Sequence, residues 1–251
     1  MSDPFHSSKY SLARAKQHIS DLERQVSEFI KTKPYTFVVE IDPNTSEEVH
    51  KVKLTKPVPV ALPGIALDAA NNLRSALDQA IYAVILLATG KKVKNAFFPV
   101  ARTEADFENA VRGRLKELPK EIVDLIRALK PYKGGNIPLW VLNVFCNTNK
   151  HAAIAPVIIT RGGRMRARGV AAPGFTMPFP VWDGTKNEME LFRQPVGSAS
   201  NVEIEITYHV AVSDVELMEN APIGLVFDKF LSVVEGIVMA LEAEAQRLGL
   251  I

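Results

Sequence analysis

The sequence predicts an α+β protein: a helical bundle with an N-terminal β-hairpin and a C-terminal antiparallel β-meander. Three observations carry that class. Long apolar helical segments occupy 10–31, about 64–89, 138–155 and 222–249. Apolar and polar residues alternate over 35–55. Residues 157–212 break into short strand-like pieces between Gly, Pro, Asn and Ser turns. Residues 1–251 are expected to fold as a single domain, with a helical core over about 64–155 and 222–249 and a β-rich part over about 157–212.

The first helix carries Leu12, Ile19, Leu22, Val26, Phe29 and Ile30 on one stripe, and Lys33-Pro34 ends it. Tyr35, Phe37, Val39 and Ile41 then alternate with Thr36, Val38, Glu40 and Asp42. Asp42-Pro43-Asn44 is turn chemistry, and His50 to Thr55 alternates again, which predicts a hairpin. Pro57, Pro59 and Pro63 mark the crossover into the 64–89 helix. Asn95 to Val100 is a short extended piece. Thr103 is a candidate N-cap with Asp106 three residues on, opening a helix through Ala110. Another helix follows Pro119 and runs to about Leu129. Gly134-Gly135 marks a loop, and Pro138 suits the first turn of the next helix, which ends near Ala155-Pro156. After the strand-like pieces, Pro222 opens a last amphipathic helix that stops at Gly249 and is expected to return onto the earlier helices. Leu73, Leu77, Ile81, Val84, Leu142, Phe145, Val234 and Ile237 are expected in the core.

Composition narrows the function classes. Hydrophobic residues make up 47% and charged residues 23%, and 30 basic residues against 28 acidic leave a formal charge of +2. That balance requires neither a nucleic acid nor a membrane. Cys146 is the only cysteine, which excludes an internal disulfide and a multi-cysteine zinc site and fits a reducing cytosol. The N-terminus lacks signal-peptide design, and the apolar run Ala80–Ala88 is about half of a bilayer span. A cytoplasmic protein without membrane contact is expected.

Familiar motifs fail. Thr89-Gly90-Lys91-Lys92 is no phosphate-binding loop, because Ile85 occupies the position of its first glycine and Lys92 that of its hydroxyl residue. The five histidines lie in five different elements, without metal-ligand spacing, so no metal or cofactor is expected. Arg164, Arg166 and Arg168 alternate along one strand with Arg161 close by, which could line a groove for a phosphate backbone. Glu188 and Glu190, and Glu203 and Glu205, alternate in other strands and supply as much opposite charge. A solvated sheet face with cross-strand ion pairs is the favoured reading.

Two helical segments hold polar residues where apolar ones dominate. In the first, Arg74 lies about 80° from the apolar centre, with Asp78 and Asn71 slightly further round. Arg74 and Asp78 are i, i+4 neighbours and can pair. In the second, Asn143, Asn147, Lys150 and His151 form one polar seam on an otherwise apolar helix. If the helices are neighbours, Arg74 and Asp78 can face that seam, and an Asp78–His151 contact would raise the imidazole pKa. Such a pattern has two meanings. It is more commonly a structural network that fixes helix register. Alternatively Arg74 and Lys150 bind an anion while His151, oriented by a carboxylate, moves a proton. The site residues are then Arg74, Asp78 and His151 as the catalytic group, with Asn71, Asn72, Asn143, Asn147 and Lys150 binding the ligand.

Asn72-Leu73-Arg74-Ser75-Ala76-Leu77-Asp78, Phe98-Pro99, Pro131-Tyr132 and Asn147-Thr148-Asn149-Lys150-His151 together resemble a widespread group of uncharacterised bacterial proteins. That group's pattern is Leu-Arg-Ser-Ala-Leu-Asp-His, Phe-Pro, Pro-Tyr and Asn-x-Asp-Lys-His-Arg. The match covers roughly the middle third of the chain. Its first motif is similar to the Arg-x4–6-His signature of HEPN domains, which implies a helical bundle, often dimeric, and in many members a metal-independent ribonuclease. Gln79 stands where the histidine would be and cannot act as a general acid or base. Asn149 and Ala152 also replace the Asp and Arg of the second motif. The resemblance therefore implies a degenerate HEPN-like module that binds a polyanion, such as a nucleic acid, or a protein partner, with a homodimer as one assembly. The alternatives are an RNA-cleaving enzyme using Arg74 and His151, and a small-molecule-binding protein with its pocket between the two helices.

Overall fold

The computed structural model describes residues 3–94, 96–148, 157–158, 166–178, 182–198, 200–205, 210–211 and 221–251. The helices are α1 (His6–Lys31), α2 (Ala61–Thr89), α3 (Glu104–Arg114), α4 (Lys120–Ala128), α5 (Ile137–Thr148) and α6 (Ile223–Arg247). The strands are β1 (Tyr35–Ile41), β2 (Glu47–Leu54), β3 (Val157–Ile158), β4 (Arg166–Val170), β5 (Trp182–Asp183), β6 (Glu188–Pro195), β7 (Asn201–Glu205) and β8 (Val210–Ala211). The class is α+β, with the expected N-terminal hairpin. No described helix is long and apolar enough to cross a membrane.

α1 and α2 form the tightest helix pair because small residues line it. Ser8, Ser11 and Ala15 are buried on α1, and Ala66, Ala69, Ala70, Ala76, Ala80 and Ala83 on α2. The backbones approach closely enough for the Ser8 hydroxyl to donate to the Ala76 carbonyl at 2.7 Å. α2 begins three residues before the predicted Gly64. Pro63 falls within its first turn, where a missing N–H costs no helical hydrogen bond. At the other end Gly90 takes the left-handed conformation (φ 69°) and its N–H closes on the Leu86 carbonyl. α6 returns as expected to pack on α1, α2, α4 and α5. Phe227 meets Phe145 of α5 edge to face at 5.8 Å between ring centroids. All eight residues assigned to the core from sequence are at most 2% exposed.

The hairpin and the later strands, separate units in the sequence, share one antiparallel sheet of order β1-β2-β6-β5. β6 pairs with the free side of β2, from Glu47 opposite Pro195 to Lys53 opposite Glu188, with a bulge at His50/Lys51. The gain is burial: Val52, Met189, Leu191 and Phe192 become core, and His50 stacks on Phe192 at 4.0 Å. The opposite face is a ladder of ions. Lys51 bridges Glu40 (2.6 Å) and Glu188 (2.9 Å), Lys53 contacts the same two acids, and Arg193 joins Asp42 (2.7 Å) to Glu190. The two lysines lower the Glu40 carboxyl to about 2. β3–β8 and β4–β7 form separate two-stranded ladders.

The 130–136 loop has a strict shape. Lys130 is left-handed (φ 48°), and its carbonyl accepts from both Tyr132 N–H (2.7 Å) and Asn136 N–H (2.8 Å). Asn136 then caps α5, its Oδ1 accepting from Leu139 N–H at 3.2 Å. A Cβ on Gly135 would sit 2.3 Å from the Lys130 carbonyl oxygen. Gly135→Ala should therefore destabilise the protein by about 1–3 kcal/mol, because backbone must move to admit one methyl group. Gly134→Ala, whose site has open space but a φ of 90°, serves as the comparison for conformational strain alone. Urea unfolding of both variants measures the difference, and an unperturbed Gly135→Ala would contradict the packing described.

Candidate functional site

α2 sets Arg74 and Asp78 one turn apart on its flank, and they pair at 3.0 Å. Both then grip a single residue of the extended segment that follows. Arg74 Nη2 donates to the Phe98 carbonyl at 2.7 Å, and Phe98 N–H donates to Asp78 Oδ1 at 2.8 Å. The ion pair presents one donor and one acceptor to a residue whose ring is fully buried. Residues 96–100 belong to no sheet, so this grip supplies the hydrogen bonds that buried backbone requires.

Sequence reasoning turned Arg74 and Asp78 toward the α5 seam; among the described residues the partner that both hold is Phe98. α2 and α5 are neighbours, and the described partner of the pair lies in the 96–100 segment. Lys150 and His151, two members of the seam, lie outside the described residues, as do Arg161 and Arg164. Burial raises the Asp78 pKa above the ordinary carboxyl value, and Arg74, the Phe98 N–H and Arg114 pull the other way. Arg74 Nη1 is buried without a hydrogen-bond partner among the described residues.

The other candidates disperse. Asn71 and Asn147 are exposed, and Asn72 donates to the Asp68 carbonyl one turn back at 2.8 Å. Gln79 accepts from the Ser11 hydroxyl at 3.1 Å and helps bind α2 to α1. The described part of the basic stripe has acids opposite it, since the β4–β7 register sets Arg166 against Glu205 and Arg168 against Glu203. Among the described residues no cluster of His, Cys, Asp and Glu is disposed to hold a metal ion.

Asn143, a described member of the seam, lines a cleft. The gripped segment continues into Ala101, whose N–H donates to the Pro131 carbonyl at 3.0 Å, forming a parallel bridge with Tyr132. The Phe-Pro and Pro-Tyr motifs thus meet in space. Beside this bridge, Val100, Ala101 and Arg102 face Lys133, Trp140, Asn143 and Val144 across a cleft of about 400 Å³. Lys133 Nζ lies 5.3 Å from the Trp140 ring centroid, a cation–π contact. Sequence reasoning missed Arg102, Lys133 and Trp140 because they stand on three separate elements with no shared period. The only advance signal was charge. Residues 91–133 hold eleven basic residues against six acidic, a local excess of five in a chain of net charge +2. Arg102 and Lys130 are exposed, and no ion pair engages them among the described residues.

The chain matches no protein-family model, no curated protein and no solved structure.

The grip makes a quantitative prediction. Asp78→Ala leaves the Phe98 N–H unpartnered and the Arg74 charge uncompensated, and should cost about 1–3 kcal/mol. Asp78→Asn keeps an acceptor oxygen and should cost less. A carboxyl with a raised folded-state pKa binds its proton more tightly when folded. Its contribution is therefore full below the unfolded pKa and lost as pH rises through the raised folded value. The stability of wild type relative to Asp78→Asn should accordingly fall as pH climbs from about 3 to about 7. Guanidinium unfolding across that range tests the sign, and a difference that grows with pH would overturn it.

Proposed function

We propose that this chain is a non-catalytic, degenerate HEPN-like binding module that takes a phosphate-bearing polyanion, single-stranded RNA above all, at the cleft beside α5. The observation that carries this reading is the cationic wall of the cleft. Arg102 and Lys133 line it next to Trp140 and the Asn143 amide, and the neighbouring Lys130 is exposed. Basic side chains beside an aromatic ring and an amide suit a charged backbone with stacking or edge contacts to bases. The local charge excess over 91–133 would draw such a ligand to this side of the molecule.

Two features favour binding over cleavage. Arg74, the arginine that the HEPN resemblance would place in catalysis, is engaged by the Phe98 carbonyl and Asp78. Gln79 cannot transfer a proton and is engaged by Ser11. The single cysteine, which is buried, agrees with a cytoplasmic setting for this module.

Fluorescence anisotropy with a labelled mixed-sequence RNA of about 20 nucleotides tests the reading. Log affinity should fall linearly with log salt, and Arg102→Ala/Lys130→Ala should weaken binding by about tenfold and flatten the slope by about 0.7 per lost phosphate contact. Absence of binding at low salt, or binding indifferent to these changes, would remove the cleft as the site. The same RNA incubated in EDTA should stay intact. Cleavage that survives EDTA and vanishes in Arg74→Ala would instead establish the ribonuclease alternative.

A further inference from the structure

We propose that two copies of this chain associate through the outer edge of β1, by antiparallel pairing about a two-fold axis at Val38. The proposal is independent of the ligand reading above. β1 ends the β1-β2-β6-β5 sheet, and among the described residues it pairs with β2 alone. The phase of its hydrogen bonds follows from the flanking contacts. Thr55 N–H donates to the Pro34 carbonyl at 2.7 Å, and Asp42 N–H to the Glu47 carbonyl at 2.9 Å. Even-numbered residues therefore turn their backbone groups toward β2. The N–H and C=O of Tyr35, Phe37, Val39 and Ile41 point away from it.

The same four residues share one face of the strand, and three of them are exposed apolar side chains. Phe37 is 62%, Val39 56% and Ile41 63% accessible. Edge strands are ordinarily guarded by lysine, proline, a bulge or an unpaired charge. β1 has no lysine, proline or glycine between Tyr35 and Ile41, and its pairing with β2 runs without a bulge. Its one acid, Glu40, is on the opposite face, held by Lys51 and Lys53. The other edge strand, β5, spans two residues only, and so offers no comparable template.

Self-pairing matches this strand most fully in one register. With Val38 on the axis, all seven residues of β1 are matched. Phe37 then lies opposite the partner's Val39, Tyr35 opposite the partner's Ile41, and Thr36 opposite the partner's Glu40. The apolar face becomes continuous across the two copies, the two glutamates are kept apart, and about eight inter-strand hydrogen bonds satisfy the open edge. A slip of one residue would set Phe37 against Glu40 and join the apolar face of one copy to the charged face of the other. The two-fold contact is closed, so it yields a dimer with one continuous sheet rather than a filament.

Sedimentation equilibrium over about 1–200 µM chain should show mass rising toward twice 27.7 kDa, as fits a small edge interface. Phe37→Lys/Ile41→Lys alters only exposed side chains, and Val39→Pro removes an N–H that the pairing with β2 does not use. Both should remain folded by circular dichroism and stay at 27.7 kDa throughout. Val38→Cys places two thiols at the axis in a non-hydrogen-bonded pair, close enough for a disulfide, while the native Cys146 is buried. Mild oxidation should convert this variant to covalent dimer. A wild-type protein that is monomeric over the whole range, or a dimer unaffected by the β1 variants, overturns the proposal. A wild-type dimer whose Val38→Cys variant does not cross-link overturns the register.

Discussion

Phe98 is the residue on which the middle of this molecule turns. It lies in a stretch with no sheet partner, yet its ring is fully buried and its backbone groups need hydrogen bonds. One i, i+4 ion pair on α2 meets that need, Arg74 holding the carbonyl and Asp78 the N–H. Charge-assisted bonds of this kind are roughly twice as strong as neutral ones. From the gripped residue the chain runs through Pro99 to Ala101, meets Pro131, and so ties α2 to the loop that caps α5. Four motif fragments scattered over 80 residues thus include one connected scaffold, and the cleft lined by Arg102, Lys133, Trp140 and Asn143 forms along it.

The same logic accounts for Gln79. An ionisable side chain at this point of the α1–α2 contact would pay desolvation among buried small residues, whereas an amide is satisfied by one serine hydroxyl. Position 79 thus serves helix packing. Ser8 and Ser11 play the matching part on α1, each donating to α2 where a larger side chain would hold the backbones apart.

Charge is unevenly partitioned in this fold. On the sheet face, Glu40, Asp42, Glu188 and Glu190 are paired with Lys51, Lys53 and Arg193, so each of these cations is engaged. On the α3–α5 side, Arg102 and Lys130 are exposed and without an ion pair among the described residues. The contrast explains why an alternating run of like charges within one strand is a poor guide to partners. The alternating arginines of β4 draw the eye, but the strand register sets acids opposite those that are described, while the cations beside the cleft come from separate loops.

Sequence alone determined what depends on local period and local sterics. The helices and their amphipathic faces, the Thr103 cap whose Oγ1 accepts from Asp106 N–H, the hairpin turn and all eight predicted core residues follow from spacing. The pairing of Arg74 with Asp78 was legible too, since i, i+4 neighbours need no tertiary information. What that pair holds was not legible, because Phe98 is twenty-four residues from Arg74 and no period links them. Nor was the union of the hairpin with β6, a pairing across some 140 residues that only shared burial of Val52, Met189 and Phe192 could select. Tertiary packing decided these matters because a buried polar group or an open strand edge states only that it needs a partner. Which partner it meets is set by the elements that the core brings beside it.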